Sequence, residues 1–255
     1  MAAVTTPLVR LPLRTRAAML LRLLAVQGAW NYETMMGNGI AFAVEPALRL
    51  LPGGRDGDAY RAAIARQSGY FNAHPYLAAL AVGALARAEL DGEGERIDRF
   101  RGACCGPLGS VGDQLVWAGW LPLCSLLALL GFGLGLGPVG VLVLFLGTYN
   151  VGHLSLRVWL LDAGWREGLR IATTLGSPVF RQGPVWIARV MAVLAGVAIP
   201  LAVARVVGAR PVALVSALVV ALVWTVATAL VARRIDGWRA ALAGVAVFVL
   251  YSYLS

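Results

Sequence analysis

Long apolar runs decide what this chain can fold into. Three stand out in the C-terminal half, at about Val185 to Ala204, about Pro211 to Ala232 and about Trp238 to Leu254. Each approaches the ~20 residues that a helix needs to cross a ~30 Å hydrocarbon core. Two more, Leu115 to about Leu130 and Val139 to about Gly147, are joined by the glycine-rich Gly131–Gly137. They read as two spans, or as one span and a hairpin. Charge is correspondingly scarce: 14% of the 255 residues are charged, where a soluble domain carries about 25%. So little polar surface cannot cover a water-soluble globule. The expected fold class is an all-α integral membrane protein. It combines amphipathic N-terminal helices, re-entrant or irregular segments and roughly 3–5 membrane-spanning helices.

The charges that remain are mostly arginine. The net charge is +9 and no lysine occurs. In a soluble protein such a balance points to nucleic acid. Here the arginines cluster at the N-terminus and in the gaps between apolar runs, where they hold a membrane protein against anionic headgroups. No nucleic-acid module is visible. The positive-inside rule places the basic loop of Arg233, Arg234 and Arg239 in the cytoplasm and the C-terminus outside, although Arg205 and Arg210 blunt the asymmetry. Trp238, Tyr251 and Tyr253 suit interfacial anchors. Cys104, Cys105 and Cys124 have no metal or redox spacing and read as small buried apolar residues. Met1 to Arg22 lacks the pattern of a cleaved signal peptide.

The N-terminal half is less continuous. Residues 1–14 read as a tail and 15–255 as one membrane domain, motif-rich over 15–121 and mainly transmembrane over 122–255. The helical pattern runs from Thr15 to about Leu51 and ends at the Pro52–Gly54 turn. A second helix runs from Asp58, its N-cap, through Gly69. Pro75 to Leu90 is too short and too rich in alanine to span, and fits a buried or re-entrant helix. Asp91 to Arg101 is a solvated loop or a helix end. Gly106 to Trp117 mixes glycine, proline, serine and an aspartate directly before an apolar run. It reads as irregular backbone, which survives at membrane depth only where protein or a water-filled cavity satisfies it. Arg157 to Arg181 is a polar stretch, and Pro200 is a candidate kink in the span that follows.

Four clusters set polar side chains in apolar surroundings: Trp30-Asn31-Tyr32-Glu33, Tyr70-Phe71-Asn72-Ala73-His74-Pro75-Tyr76, Gly112-Asp113-Gln114, and Asn150 to His153. A buried unpaired carboxylate is costly, so such groups face a cavity or a partner. Asn amides and carboxylates supply the fixed donors and acceptors that sugar hydroxyls need, and aromatic faces pack on a pyranose ring. Structural roles compete at each place. Asn31 or Glu33 could brace a neighbouring helix, His74 could anchor a turn, and Asp113 could be an ordinary N-cap. Asn150 and His153 read as structural, and Trp30, Trp117 and Trp120 as packing or interface residues. Enzyme templates fail. No His-Glu-x-x-His, Walker motif or serine nucleophile motif occurs, and Asp113 lacks the second aspartate of an intramembrane protease.

At these residues the chain resembles the IID component of the mannose/fructose/sorbose sugar phosphotransferase family. Three signatures follow in the family's order: Gln27, Trp30-Asn31-Tyr32-Glu33 and Met35; then Tyr70 through Tyr76; then Gly106-Pro107-Leu108-Gly109-Ser110-Val111-Gly112-Asp113. Tyr149-Asn150, Gly164-Trp165 and Gly168 echo it more loosely. The resemblance implies a multi-pass subunit of the bacterial cytoplasmic membrane, paired with a IIC membrane subunit. IIA and IIB subunits supply the phosphoryl group, and a hexose-type sugar is translocated. A trimer of IIC–IID pairs, lipid contacts and no cofactor are implied. So is the absence of a catalytic residue, so that His74 is not a phosphorylation site. Asn72, His74 and Asp113, then Glu33 and Asn31, are the expected sugar-binding or IIC-interface residues, with Gln114 beside them. Gln114 stands where the family commonly has proline, and Gly109-Ser110 where it often has Ala-Gly. These departures keep a regulatory descendant without transport as the alternative, and an intramembrane enzyme as a third.

Overall fold

A computed structural model describes residues 11–208 of the chain. The expected spans at about 211–232 and 238–254, the basic loop Arg233–Arg239 and the aromatic anchors beyond it lie outside the described residues. All the regular elements described are helical.

The N-terminal part is a packed cluster of short helices: α1 (Leu13–Leu23), α2 (Gly37–Leu48), α3 (Asp58–Ser68) and α4 (Ala78–Leu90). The helical pattern from Thr15 to Leu51 is not one helix. It breaks between Leu24 and Met36, where Asn31 turns the chain. The Asn31 Oδ1 accepts the Glu33 and Thr34 N–H groups at 2.9 and 2.8 Å, a side-chain mimic of a backbone turn. Trp30 to Glu33 therefore lie in a turn, not at the centre of a helix. Met35 follows at φ 52°, in the left-handed region that a side chain rarely adopts. Asp58 does not cap α3 with its side chain either; Gly57 holds the N-cap position.

α4 is the centre of the core. From Ala78 to Ala86 every residue is buried, as expected for a segment apolar all round. The Asp91–Arg101 stretch, expected as a solvated loop or a helix end, is a short turn at the end of α4 followed by helix. α5 (Gly94–Gly112) starts within it, and Arg101 is buried.

The irregular backbone expected from Gly106 to Trp117 is helical. α5 passes through Pro107 into a π-helical segment (Asp113–Trp120) and then into α6 (Leu121–Gly133), forming one 40-residue helical stretch. Asp113 sits inside this stretch and caps nothing. α7 (Pro138–Glu167) runs straight through the start of the polar stretch at Arg157. Short turns α8 (Ala172–Leu175) and α9 (Pro178–Arg181) lead to α10 (Gly183–Val207), which continues past Pro200. Gly94–Gly133, Pro138–Arg170 and Gly183–Val207 are each long and apolar enough to cross a membrane.

Close contacts fix how these helices run. A Cβ on Gly131 would meet Leu144, and one on Gly152 would meet Trp120, so α7 returns antiparallel to α6. A Cβ on Gly119 would meet Ile187 and one on Gly133 would meet Leu201, so α10 runs parallel to the π segment and α6. α4 crosses α7 at glycines on both sides: a Cβ on Gly83 would lie 2.3 Å from the Leu161 carbonyl oxygen, and one on Gly164 2.1 Å from that of Leu80. Small residues permit this backbone approach. Of the cysteines, Cys104 and Cys124 are buried as expected, whereas Cys105 is half-buried.

Candidate functional site

The three motif clusters, tens of residues apart in sequence, meet on one segment, residues 69–76, which is extended as far as His74 and turns at Pro75 into α4. From one side the Asn31 turn reaches it. The Phe71 N–H donates to the Thr34 carbonyl at 3.2 Å, and the Met36 N–H donates to the Phe71 carbonyl at 2.9 Å. The strained Met35 is the residue bridged to Phe71. Gly37 lies so close that a Cβ there would be 2.0 Å from the Gly69 oxygen.

From the other side the segment lies along one stripe of α5, at positions 101, 105, 108 and 112, which is helical spacing. Arg101 Nη2 donates to the Gly69 carbonyl at 2.7 Å and the Tyr70 carbonyl at 3.3 Å. The Asn72 N–H donates to Cys105 Sγ at 3.4 Å. The His74 N–H donates to the Leu108 carbonyl at 3.2 Å. Gly112 lies directly under the His74 ring, where a Cβ would be 2.1 Å from the His74 Cβ.

His74 itself is buried. Its Nδ1 accepts the Tyr76 N–H at 3.2 Å, so in the neutral ring the proton sits on Nε2. That Nε2 is buried without a hydrogen-bond partner among the described residues. Burial, reinforced by the nearby Arg157 charge, lowers the His74 pKa to about 4, so the ring is neutral at pH 7. Its neighbours are the rings of Trp117, 4.9 Å away, and Tyr76, 5.0 Å away. Tyr76 extends the cluster to α7: its ring stacks on His153 at 4.8 Å, its hydroxyl meets that of Tyr149, and the Arg157 guanidinium lies 4.7 Å over its face. Arg157 also donates to the Leu23 carbonyl at the end of α1. Beside this cluster is an apolar cavity of about 170 Å³, bounded by Tyr76, Val116, Trp120, His153 and Ile187.

The six expected residues separate into two kinds. Asn31 is consumed by its turn: besides accepting two N–H groups, its Nδ2 donates to Thr34 Oγ1 at 2.9 Å. His74 is built into the core. Asn72 is half-buried, and Glu33, Asp113 and Gln114 are exposed. Tyr70 (55% exposed) and Trp117 (43% exposed) are exposed as well, Trp117 with its ring against that of His74. Sequence reading missed Arg101 and Arg157. An arginine interrupting an apolar helical face is the signal that finds both. Of the pair read as structural, Asn150 Oδ1 lies 3.0 Å from His153 Nε2 and Asn150 Nδ2 donates to the Leu146 carbonyl at 2.6 Å.

Fold and site together define a helical membrane protein whose amphipathic N-terminal cluster is packed onto its spans. Residues 10–191 match the family model of the PTS system mannose/fructose/sorbose family IID component. The match covers more than half of the chain, and the protein belongs to that family. The mannose-specific EIID component of Escherichia coli K12 is 32% identical over 163 residues, covering 59% of this chain and 54% of the relative. The chain thus spans about half the length of that curated relative. In solved structures, a chain of the mannose transporter ManYZ in complex with a microcin is similar at a TM-score of 0.57 and 26% identity, covering 73% of this chain and 69% of that one. A further membrane protein is similar at a TM-score of 0.63 and 25% identity, covering 74% and 70%.

Proposed function

We propose that the chain is the IID subunit of a mannose-family permease of the bacterial cytoplasmic membrane, binding and translocating a hexose-type sugar together with a IIC subunit. IIA and IIB subunits supply the phosphoryl group, so this chain contributes binding and movement rather than a catalytic residue or a cofactor. Trimers of IIC–IID pairs are the expected assembly.

The observation that carries this reading is the convergence of the three family signatures on the 69–76 segment. Asn72, Asp113 and Gln114 offer amide and carboxylate groups to sugar hydroxyls. Tyr70 and Trp117 offer ring faces. The buried His74 lies beneath them and packs its ring against that of Trp117. Glu33 lies on the turn that joins the segment and fits the IIC contact, while Asn31 shapes that turn.

The test is affinity capture of the tagged protein from its native membrane, with identification of co-purifying chains and binding of labelled mannose, fructose and sorbose. A IIC-like partner and saturable binding of one of these sugars are expected. Asn72→Ala or Asp113→Asn should weaken that binding by about tenfold, the loss of one well-placed polar contact. A partner recovered with no binding of any of these sugars would favour the regulatory descendant, which Ser110 and Gln114 at the site motivate. Absence of a membrane partner would remove the permease reading.

A further inference from the structure

Arg101 stands out because it has no place in any motif and yet touches the site's backbone directly. It is 4% exposed. Its Nη1 donates to Gln67 Oε1 at 2.6 Å, its Nη2 to the Gly69 and Tyr70 carbonyls, and its guanidinium lies 5.1 Å over the Phe71 ring. It is also held in place. Gln67 Nε2 donates to Glu89 Oε1 at 2.6 Å, and Arg66 grips the same carboxylate through Nε at 3.0 Å and Nη2 at 2.8 Å. Arg66 and Gln67 belong to α3, Glu89 to α4 and Arg101 to α5, so one buried polar chain ties three helices to two carbonyls of the segment.

The geometry matters because these are the first two residues of the extended segment. One turn further along α5, Cys105 donates its S–H to the Arg101 carbonyl at 3.1 Å and accepts the Asn72 N–H. One turn further again, the Leu108 carbonyl takes the His74 N–H. The guanidinium holds Gln67 through Nη1 and both carbonyls through Nη2, a division that the single nitrogen of an ammonium cannot reproduce with the same geometry. Arg101 therefore fixes where the segment starts on α5, and with it which N–H meets Cys105 and which meets Leu108.

We propose that Arg101 is the positioning residue of this site: through the Gly69 and Tyr70 carbonyls it sets the register of the 69–74 segment on α5, and so the placement of Asn72 and His74. Resting on the sugar-permease reading, it predicts a change in sugar affinity. A second readout is independent of sugar. Cys105 is half-buried and lies against the Asn72 N–H, so its alkylation rate reports whether the segment is seated.

The experiment uses the full chain with its membrane partner, in a Cys104→Ala, Cys124→Ala background that leaves Cys105 as the single thiol. Cys105 alkylation by a maleimide and half-saturation for the transported sugar are compared between Arg101 and Arg101→Gln. Alkylation about tenfold faster and half-saturation about tenfold higher are expected, with a smaller change in the maximal rate per assembled complex. Arg101→Lys, which keeps the charge and one carbonyl bond, should fall between, and it carries the same two readouts if Arg101→Gln does not accumulate. Unchanged alkylation and half-saturation, with only a loss of protein from the membrane, would overturn the proposal and leave Arg101 a stabilising residue. If the unmodified protein handles no sugar, the permease reading fails, and the thiol readout alone still decides whether Arg101 seats the segment.

Discussion

Glu45 shows how this chain uses arginine. Its carboxylate accepts from Arg22 at 2.6 Å, from Arg49 twice at 2.8 Å, from Tyr60 at 2.9 Å and from Arg55 at 3.2 Å. Burial raises its pKa, but the hydrogen bonds from Arg49, Tyr60 and Arg22 outweigh that and hold it at about 2. A carboxylate depressed in the folded state stabilises fully above its ordinary value of 4.5. The stabilisation is lost as pH falls from there toward 2. The contribution is about 3 kcal/mol. Glu45→Gln should lower stability by about 2–3 kcal/mol at pH 7 and flatten the acid limb of the melting profile. Detergent melting curves at stepped pH check this; an unchanged acid limb in the variant would remove Glu45 from the explanation.

Between elements, glycine does more than loosen the chain. Gly83 and Gly164 let α4 and α7 touch backbone to backbone, with no room for a methyl group on either. Gly164→Ala or Gly83→Ala should therefore cost about 2–3 kcal/mol by overpacking. Gly147, on the same α7 with open space around it, should accept alanine with no loss and up to about 1 kcal/mol of gain. Thermal aggregation midpoints of the three variants test the contrast; equal effects would refute the crossing. Much at this scale was readable from sequence. Hydropathy alone located the span at α10 and the buried α4, and the three polar clusters marked the segments that meet. Two errors have clear causes. Residues 24–36 read as a continuation of the helix, yet α1 ends at Leu23 in a run of tight turns through Gly28, and the Asn31 side chain then takes the Glu33 and Thr34 N–H groups and sets a second turn. Gly106, Pro107, Gly109 and Gly112 look like breakers, yet the helix persists through all four. Propensity yields there to packing, since Leu108 and Gly112 are needed against the 69–76 segment. The contacts of the Arg101 side chain were not legible at all, because they join residues thirty or more positions apart.

For the whole molecule, the distribution of arginine along the spans gives an orientation. The end of the bundle formed by the C-termini of α4 and α7 and the start of α5 carries Arg87, Arg96, Arg166 and Arg170, while the end at the α6–α7 turn carries Arg205 among the described residues. Acidic groups contribute little to this rule, so the arginine-rich end should face the cytoplasm. Reporter fusions after Gly135 and after Arg170 in the bacterial membrane should be active as a periplasmic and a cytoplasmic reporter respectively; the reverse pattern would invert the molecule. The grip of α5 on residues 69–74 has a consequence of another kind. Every hydrogen bond that seats the segment there, at Gly69, Tyr70, Asn72 and His74, is made to its main chain. Exchanging Tyr70 or Asn72 for another residue leaves those bonds in place. The scaffold can thus carry different side chains in one geometry, and a lineage can alter what the site recognises by point substitution without refolding its frame.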